Sequence, residues 1–207
     1  MKNWAKRMMP LAAACGLVLA ACVGWLRAAA ATELLPENIL RLHVVANSDS
    51  REDQALKLQV RDAVLEEAGR WCRGAGSLEE ANALVCVHLE GIRQAAEETV
   101  RARGAGQPVR VQVTEMFFPT RAYEGFTLPA GRYRALRVTL GEGAGRNWWC
   151  VVFPALCLPA AGEGAGGDIL AALPESQRAL VEEPGRYRVE LKVTELYERL
   201  KEWLRGT

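Results

Sequence analysis

The sequence predicts a single α+β domain, in which a mixed or antiparallel sheet of about four to five strands packs with an antiparallel helix hairpin and a C-terminal helix. Half of the 207 residues are hydrophobic, which is enough for a real core. Segments of apolar period two are interleaved with segments of helical period, and short polar or glycine-rich connections separate them. We expect this domain to occupy residues 33–207, behind an export signal or membrane anchor at residues 1–32.

The first 32 residues have the composition of an export signal. Lys2, Lys6 and Arg7 form a positive flank, and residues 8–26 that follow carry no charge. A span of that length can either be cleaved or cross the bilayer, because spanning takes about 20 apolar residues.

Three fates of this leader are open. We expect cleavage after Ala30 or Ala31, where small residues suit signal peptidase. The alternatives are a lipobox at residues 19–22, in which Cys22 is lipidated, and a retained membrane anchor. All three place Glu33 and the rest of the chain outside the cytoplasm. Without the four basic residues of the leader, 22 basic and 25 acidic residues remain, which disfavours a nucleic-acid partner.

A buried strand, a polar turn and an amphipathic helix follow each other from Ile39 to Leu65. The strand is rich in branched apolar residues, which is typical of burial on both faces. A helix should begin near Arg51, capped by Ser50 with Asp53 or by Asp49 with Glu52. Its predicted apolar stripe is Leu56, Val60, Ala63, Val64 and Trp71, and its predicted polar side is Asp53, Lys57, Asp62 and Glu66.

A second helix is predicted to begin at a capping box of Ser77 and Glu80. Apolar residues then recur in steps of three and four up to Val100, and the helix closes at Gly104. Because the connection between the two helices is short, we expect them to pack as an antiparallel hairpin.

Strands return after Pro108, where valines alternate with polar residues from Val109 to Val113. A further strand is predicted from Tyr133 to Leu140. Residues 141–147 form a glycine-rich turn, from which residues 148–153 return as the partner strand of a hairpin at the heart of the sheet. Beyond this lie a flexible link at residues 159–167, a helix of residues 169–183 broken at Pro174, a strand at 187–193 and a C-terminal helix at 196–204.

No catalytic or metal site is predicted. His43 lies on the strand face opposite Leu42 and Val44 and is expected to be structural. A nucleophile formed by Ser48 or Ser50 with His43 and Asp49 is conceivable, but the serines are better explained as helix caps. Two isolated histidines give no metal-ligand pattern, and no cofactor motif is present.

The polar turn is predicted to bind a partner, because the loop after a central strand is where α/β proteins commonly bind ligands. Trp148 and Trp149 should point to opposite faces, which leaves two alternatives. Either one is in the core and the other is an exposed contact anchor beside Arg146 and Asn147, or both are buried. The predicted partner-binding residues are His43, Asn47, Ser48, Asp49, Ser50, Asp53, Arg146, Asn147, Trp148 and Trp149.

Four cysteines lie beyond the leader. In a helix hairpin, Cys72 and Cys86 are offset along the axis by more than disulfide reach. Cys150 and Cys157 flank Pro154, where a turn can bring them together. If one bridge exists, we expect it there.

Two separated blocks of the sequence resemble the stage II sporulation protein R family. The first runs through Leu42-His43-Val44-Val45-Ala46-Asn47-Ser48-Asp49-Ser50 to Val64. The second runs from Leu128-Pro129-Ala130-Gly131 through Gly145-Arg146-Asn147-Trp148-Trp149-Cys150 to Cys157. Together they cover most of the exported chain up to Cys157.

The resemblance implies an intercellular signal of endospore formation. Such a protein is made in the forespore, is exported into the space between the forespore and mother-cell membranes, and activates a membrane-embedded aspartic protease that processes pro-sigma-E. It implies a ligand and not an enzyme. From the charge balance we expect no nucleic-acid partner, and we expect membrane contact only through the N-terminal segment if that segment is retained. The alternatives from the residues are an exported cell-wall hydrolase using His43 with Asp49 and a wall-glycan binding module.

Overall fold

The computed structural model describes residues 35–123, 126–154, 173, 175–182, 195–197, 199–201 and 203–204, together with residues 15, 16, 19 and 23. A 3₁₀ turn at Leu35–Asn38 comes first. The strands are β1 (Leu40–Val45), β2 (Val109–Phe118), β3 (Arg121–Tyr123), β4 (Phe126–Leu128), β5 (Gly131–Leu140) and β6 (Asn147–Phe153), and the helices are α1 (Arg51–Cys72), α2 (Leu78–Val87), α3 (Leu89–Ala102) and α4 (Glu175–Glu182). The predicted α+β class is confirmed.

The main sheet has four strands in the order β2-β5-β1-β6. β1 runs parallel to β5 and antiparallel to β6, while β2 runs antiparallel to β5. All six residues of β1 are buried, as its apolar composition predicted. β3 and β4 form a separate small hairpin.

The predicted hairpin of the last two strands is wrong, because β1 lies between β5 and β6. Leu42 is opposite Leu136 of β5 on one side and Cys150 of β6 on the other. A strand buried on both faces must also satisfy its backbone groups on both edges, and the central position does so. The glycine-rich segment is therefore a loop that crosses the end of β1.

Helices α1 and α3 pack antiparallel, as predicted for the hairpin. The ring of Trp71 stacks on His88 with centroids 3.4 Å apart. Near the other end, Gln107 Nε2 lies 3.5 Å from Asp53 Oδ1. The start of α3 therefore lies beside the C-terminal end of α1, and the segment after α3 lies beside the N-terminal end of α1.

The predicted continuous second helix is in fact two helices that meet at His88. The backbone there has φ −98° and ψ 13°, which ends α2 and begins α3. The two halves pack against different neighbours, because α2 contacts α1 and β1 whereas α3 contacts α1 and β2. The break allows each helix to pack against its own partner elements. Trp71 and His88 stack on each other beside the break, so Trp71 does not extend the buried stripe as predicted.

The sheet has an apolar cluster on each face. On the helical face, Leu42, Val60, Ile92 and Val138 belong to one cluster with the three helices. The opposite face, called the outer face here, carries a second cluster that includes Phe118, Tyr133, Val151 and Val181. Side chains of β1 alternate between the two.

Several predicted segments lie outside the described residues: most of the leader, the link at 159–167 and the strand at 187–193. Residues 195–197, 199–201 and 203–204 are helical, in agreement with the predicted C-terminal helix. Among the helices of the described residues, none is both long and apolar enough to span a bilayer.

Candidate functional site

The polar turn after β1 is a network of internal hydrogen bonds. The Ser50 hydroxyl accepts from the Asp53 backbone N–H at 3.1 Å, which caps α1 as predicted. The Asp53 carboxylate in turn accepts from the Ser48 hydroxyl at 2.6 Å and from Asn47 Nδ2 at 2.9 Å. The bond from Ser48 and then the one from Asn47 hold the pKa of the Asp53 carboxyl below its ordinary value.

The loop of residues 141–146, called the glycine loop here, is bonded onto this turn. Backbone N–H groups of Ala144 and Gly145 donate to the carbonyls of Asn47 and Ala46 at 3.1 and 2.9 Å. Two more backbone N–H groups donate to side chains of the turn, Glu142 to Asn47 Oδ1 at 3.0 Å and Arg146 to Asp49 Oδ1 at 2.8 Å. Turn and loop thus form one body at the end of β1.

Glycine is required in this loop for two reasons. Gly141 and Gly143 have φ of 55° and 65°, a region that L side chains rarely adopt. A Cβ at Gly145 would lie 2.2 Å from the Ser48 carbonyl oxygen, so the backbones can approach only without a side chain. The glycines predicted to turn a hairpin instead allow the loop to lie directly on the polar turn.

Lys57 of α1 holds the same loop against the helix by a hydrogen bond. Its side chain was predicted on the polar side of the helix, but it is buried. Nζ donates to Gln54 Oε1 at 2.7 Å and to the Arg146 carbonyl at 3.1 Å. Burial lowers the pKa of the Lys57 ammonium, and the charge of Asp49 opposes that shift. The prediction was wrong because the covering loop comes from residues far along the chain.

His43 belongs to the outer face, as the alternation predicted. Its ring is almost fully buried, and it stacks on the indole of Trp149 with centroids 4.1 Å apart. Nε2 lies 2.8 Å from Asn147 Oδ1. Burial is the main cause that lowers the pKa of His43 to about 4, and the charge of Arg137 adds to it, while the bond to Asn147 opposes it. The ring is therefore neutral at physiological pH.

The two tryptophans point to opposite faces, as predicted, but both are half-buried. Trp148 packs against the helical cluster, and the guanidinium of Arg61 lies 4.3 Å from its ring centroid. Trp149 meets the edge of Phe118 at 4.8 Å on the outer face. The predicted division into one core and one exposed tryptophan is therefore wrong.

The structure separates the residues of the conceivable nucleophilic site. The Ser48 hydroxyl donates to Asp53, and Asp49 Oδ1 accepts from Arg146 and Gln54. His43 is engaged by Asn147 instead, on the outer face. In the described part of the chain, no three His, Cys, Asp or Glu residues cluster as a metal site would require.

Two groups of predicted residues therefore come together separately. Asn47, Ser48, Asp49, Ser50, Asp53 and Arg146 belong to the turn and loop, while His43, Asn147 and Trp149 belong to the outer face. Sequence reasoning missed Phe118 and Arg121 beside Trp149, and Arg137 on the other side of His43, because strand pairing and chain reversal bring them there. The sequence holds one signal for Arg137, which is that it alternates with Leu136 and Val138 and so lies on the opposite face of the strand from them.

The cysteines behave in part as predicted. Cys72 and Cys86 are free thiols, so they do not pair. Cys150 is disulfide-bonded. Cys157, the predicted partner, lies outside the described residues, and its pairing stays a prediction.

The fold and the site define an α+β protein with a mixed four-stranded sheet, whose polar turn and glycine loop form a surface held by internal hydrogen bonds. The chain belongs to the stage II sporulation protein R family, whose model matches residues 36–162. Family membership supports a role in sporulation. The matched range contains β1, the turn, the glycine loop and β6.

A curated relative gives the same result. The chain is similar to stage II sporulation protein R of Bacillus subtilis (strain 168), with 44% identity over 124 residues. The match covers 60% of this chain and 55% of the relative, so the chain spans about half the length of the curated relative it matches. No solved structure matches the chain.

Proposed function

We propose that this protein is an exported signal of endospore formation that activates a membrane-embedded aspartic protease of the mother cell. In this proposal the forespore makes the protein and exports it into the space between the two membranes. The protease that it activates then processes pro-sigma-E. Membership of the stage II sporulation protein R family is the observation that carries the proposal.

The chemistry of the turn supports action by contact. The side chains of Ser48, Asn47 and Asp49 form hydrogen bonds that hold the turn and the glycine loop together. A body fixed in this way loses little conformational entropy when a partner binds it. Activation requires that the protein bind the active state of the protease more tightly than the inactive one.

Part of this body is available for contact. Asp49 and Arg146 are exposed, with Arg146 Nε 3.8 Å from Asp49 Oδ1. Asn147 is also exposed, and the half-buried Trp149 lies two residues beyond it on the same face of β6. The proposed contact surface therefore runs from the Asp49 turn along β6 to Trp149.

Reconstitution tests the proposal. The full chain is co-expressed with the protease and pro-sigma-E in a host that lacks all three, and processing is followed by immunoblot. We expect cleavage only when the chain is present and exported. Processing that is equal without the chain, or absent with a folded and exported chain, would contradict the proposal.

Two single substitutions test the contact surface. Asp49→Asn keeps an oxygen that can accept from the Arg146 N–H but removes the charge, and Trp149→Phe keeps an aromatic ring. Each is expected to reduce processing about tenfold, the effect of losing about 1.4 kcal/mol of binding. Glu52→Gln is the matched control, because Glu52 is an exposed acid of the same turn. Full processing by both variants would place the contact surface elsewhere.

A further inference from the structure

We propose that the outer face beside Trp149 is a docking surface for a short acidic segment of a protein partner. The surface is formed by Trp149, Arg110, Arg121 and Arg137. The inference rests on the proposed function, since it names the chemistry by which the partner is held.

The strand residues of this face carry charge of one sign. The strand registers place Val45 of β1 level with Thr139 of β5, Arg110 of β2 and Asn147 of β6. Alternation from that row assigns these strand residues to the outer face: Arg41, His43 and Val45; Arg110, Gln112, Thr114, Met116 and Phe118; Tyr133, Ala135, Arg137 and Thr139; Asn147, Trp149 and Val151. The set contains three arginines, namely the fully buried Arg41 and the more accessible Arg110 and Arg137, and none of its residues is Asp or Glu. Arg121 of the neighbouring β3 adds a third accessible arginine.

Arg110, Arg121 and Arg137 have no carboxylate partner within the described residues, unlike several arginines of the helical layer. There, Arg61 lies 2.6 Å from Asp62, and Arg70 lies 2.8 Å from both Glu66 and Glu67. Arg93 is likewise bonded to Glu90 and Glu97. Among the described residues, the helical layer pairs its arginines with acids of the same helices, whereas Arg110, Arg121 and Arg137 on the outer face contact no acid.

The three guanidinium groups are held in different ways. Arg110 Nη2 donates to the Gly141 carbonyl at 2.9 Å, which ties it to the glycine loop. Arg121 is exposed and lies 5.9 Å from the Trp149 ring centroid. Arg137 is half-buried, and its Nε is a buried donor with no hydrogen-bond partner among the described residues. A partner's carboxylate meets the outer end of this half-buried side chain, where a charge-assisted hydrogen bond is stronger than one between neutral groups.

Trp149 supplies a rigid apolar centre for the same surface. The stacked ring of His43 and the edge of Phe118 hold the indole in place. Tryptophan and arginine are the residue types that most often dominate the binding energy of protein interfaces. Because the ring is already fixed, little entropy is lost when a partner covers it.

An acidic polypeptide fits this surface better than an anionic bilayer does. Arg137 and Trp149 are half-buried, so a single extended chain reaches them whereas a flat layer of headgroups requires protruding cations. A guanidinium group also pairs with a carboxylate through two parallel hydrogen bonds. Arg121 lies beside the indole, Arg137 lies across His43 from it, and Arg110 is farther along the same face on β2. This arrangement matches an extended segment with a few carboxylates and an apolar side chain.

Binding of a peptide probe tests the surface directly. The full chain is titrated with a fluorescein-labelled decapeptide of alternating Glu and Val, with its Gln-for-Glu counterpart, and with phosphatidylglycerol vesicles. We expect the Glu peptide to bind, to bind about tenfold more weakly to Arg121→Glu and Arg137→Gln, and to weaken as salt is raised. We expect no saturable binding of the Gln peptide or the vesicles.

Matched controls use arginines away from this surface. Arg103→Glu repeats the charge reversal at an exposed helix end, and Arg134→Gln repeats the neutralisation in β5 on the opposite face. Both should bind the Glu peptide as the wild type does. Equal weakening by the controls, binding that is unchanged in Arg121→Glu and Arg137→Gln, no binding of the Glu peptide, or vesicle binding in its place would overturn the inference. Because Arg121 is exposed, Arg121→Glu gives a result even if Arg137→Gln fails to fold.

The processing assay separates this inference from the proposed function. If the wild type supports processing and Arg121→Glu supports it equally, the surface is not the docking site while the proposed function stands. If the wild type fails to support processing but binds the Glu peptide through Arg121 and Arg137, the proposed function falls while the surface stands.

Discussion

Arg41 is the largest side chain that the structure buries completely, and it lies in the middle of the outer face. Its guanidinium carbon is 4.1 Å from the ring centroid of Phe118 and 4.9 Å from that of Tyr133. Nη2 donates to the Tyr123 hydroxyl at 2.6 Å. Aromatic faces thus stabilise a buried cation by their quadrupoles, which fixes the end of β2 and the β3–β4 hairpin over the sheet.

His43 leads to a prediction about pH. Its pKa is lowered from 6.5 to about 4 in the folded state, so between these values the unfolded chain binds more protons than the folded one. The contribution of His43 to stability is therefore complete above pH 6.5 and is lost as the pH falls toward 4. We expect a loss of up to about 3 kcal/mol over this range.

Urea unfolding between pH 4 and pH 7 measures the effect. His43→Gln should show a shallower dependence of the free energy of unfolding on pH than the wild type, because it removes the titrating ring. Parallel curves for the two proteins would refute the role of His43.

The side-chain orientation of a single residue can be predicted where the local sequence pattern determines it. The prediction fails where a segment distant in sequence packs over the residue. The alternation of β1 correctly placed His43 opposite Leu42. Lys57 was assigned to the polar side of its helix, yet the Arg146 carbonyl, 89 positions away, covers it. A helical pattern contains no information about which loop will lie over it.

The glycine loop connects β5 to β6 along the chain, and its hydrogen bonds hold it on the turn that follows β1. A Cβ at Gly145 would meet the Ser48 carbonyl group and the Ala46 Cβ at 2.2 to 2.9 Å, so Gly145→Ala must push the two backbones apart. We expect a loss of about 2 kcal/mol or more in the free energy of unfolding, measured in urea.

Gly106→Ala is the control for that substitution. Gly106 lies in the connection to β2, and a Cβ there would meet no atom within 4 Å. Its effect should stay within about 0.5 kcal/mol. A similar small effect at Gly145 would mean that the loop tolerates separation from the turn, and the single body described above would not hold.

At the scale of elements, local signals were sufficient for helix starts and insufficient for strand pairing. Ser50 and Ser77 cap α1 and α2 as the spacing predicted, because a cap depends on residues three positions apart. The hairpin of β5 and β6 was wrong, since two strands close in sequence need not be neighbours when a third strand fits between them. The break at His88 was missed for the same reason, because packing partners decide it.

The whole molecule has a helical layer with paired charges on one side of its sheet. On the other side, Arg110, Arg121 and Arg137 have no carboxylate partner among the described residues. Its α+β class and antiparallel helical layer followed from composition and period, whereas the sign of charge on each face needed the strand order. The site was predictable as a region, from Asn47 to Asp53 and from Arg146 to Trp149, but its division between two surfaces was not.

The leader adds a prediction for the whole chain. We expect the exported protein to begin at Ala31 or Thr32, because the preceding alanines suit signal peptidase. Intact-mass measurement of protein recovered after secretion from a Gram-positive host checks this. Cys22→Ser is the control, which should leave the mass of the mature product unchanged. A product that retains Met1, or one that begins at a lipidated Cys22, would contradict the expected cleavage.

The central position of β1 has a consequence for how the chain reaches its native state. Leu40 is opposite Arg134 and Phe153, so the first strand to be synthesised waits for roughly a hundred further residues before either neighbour exists. Pairings between residues this far apart in sequence form slowly, because a large loop must close before they are made. Until β5 and β6 have been made, β1 is an apolar strand without sheet partners. Packing by the helices made before them, or binding by a chaperone, would prevent it from associating with other chains.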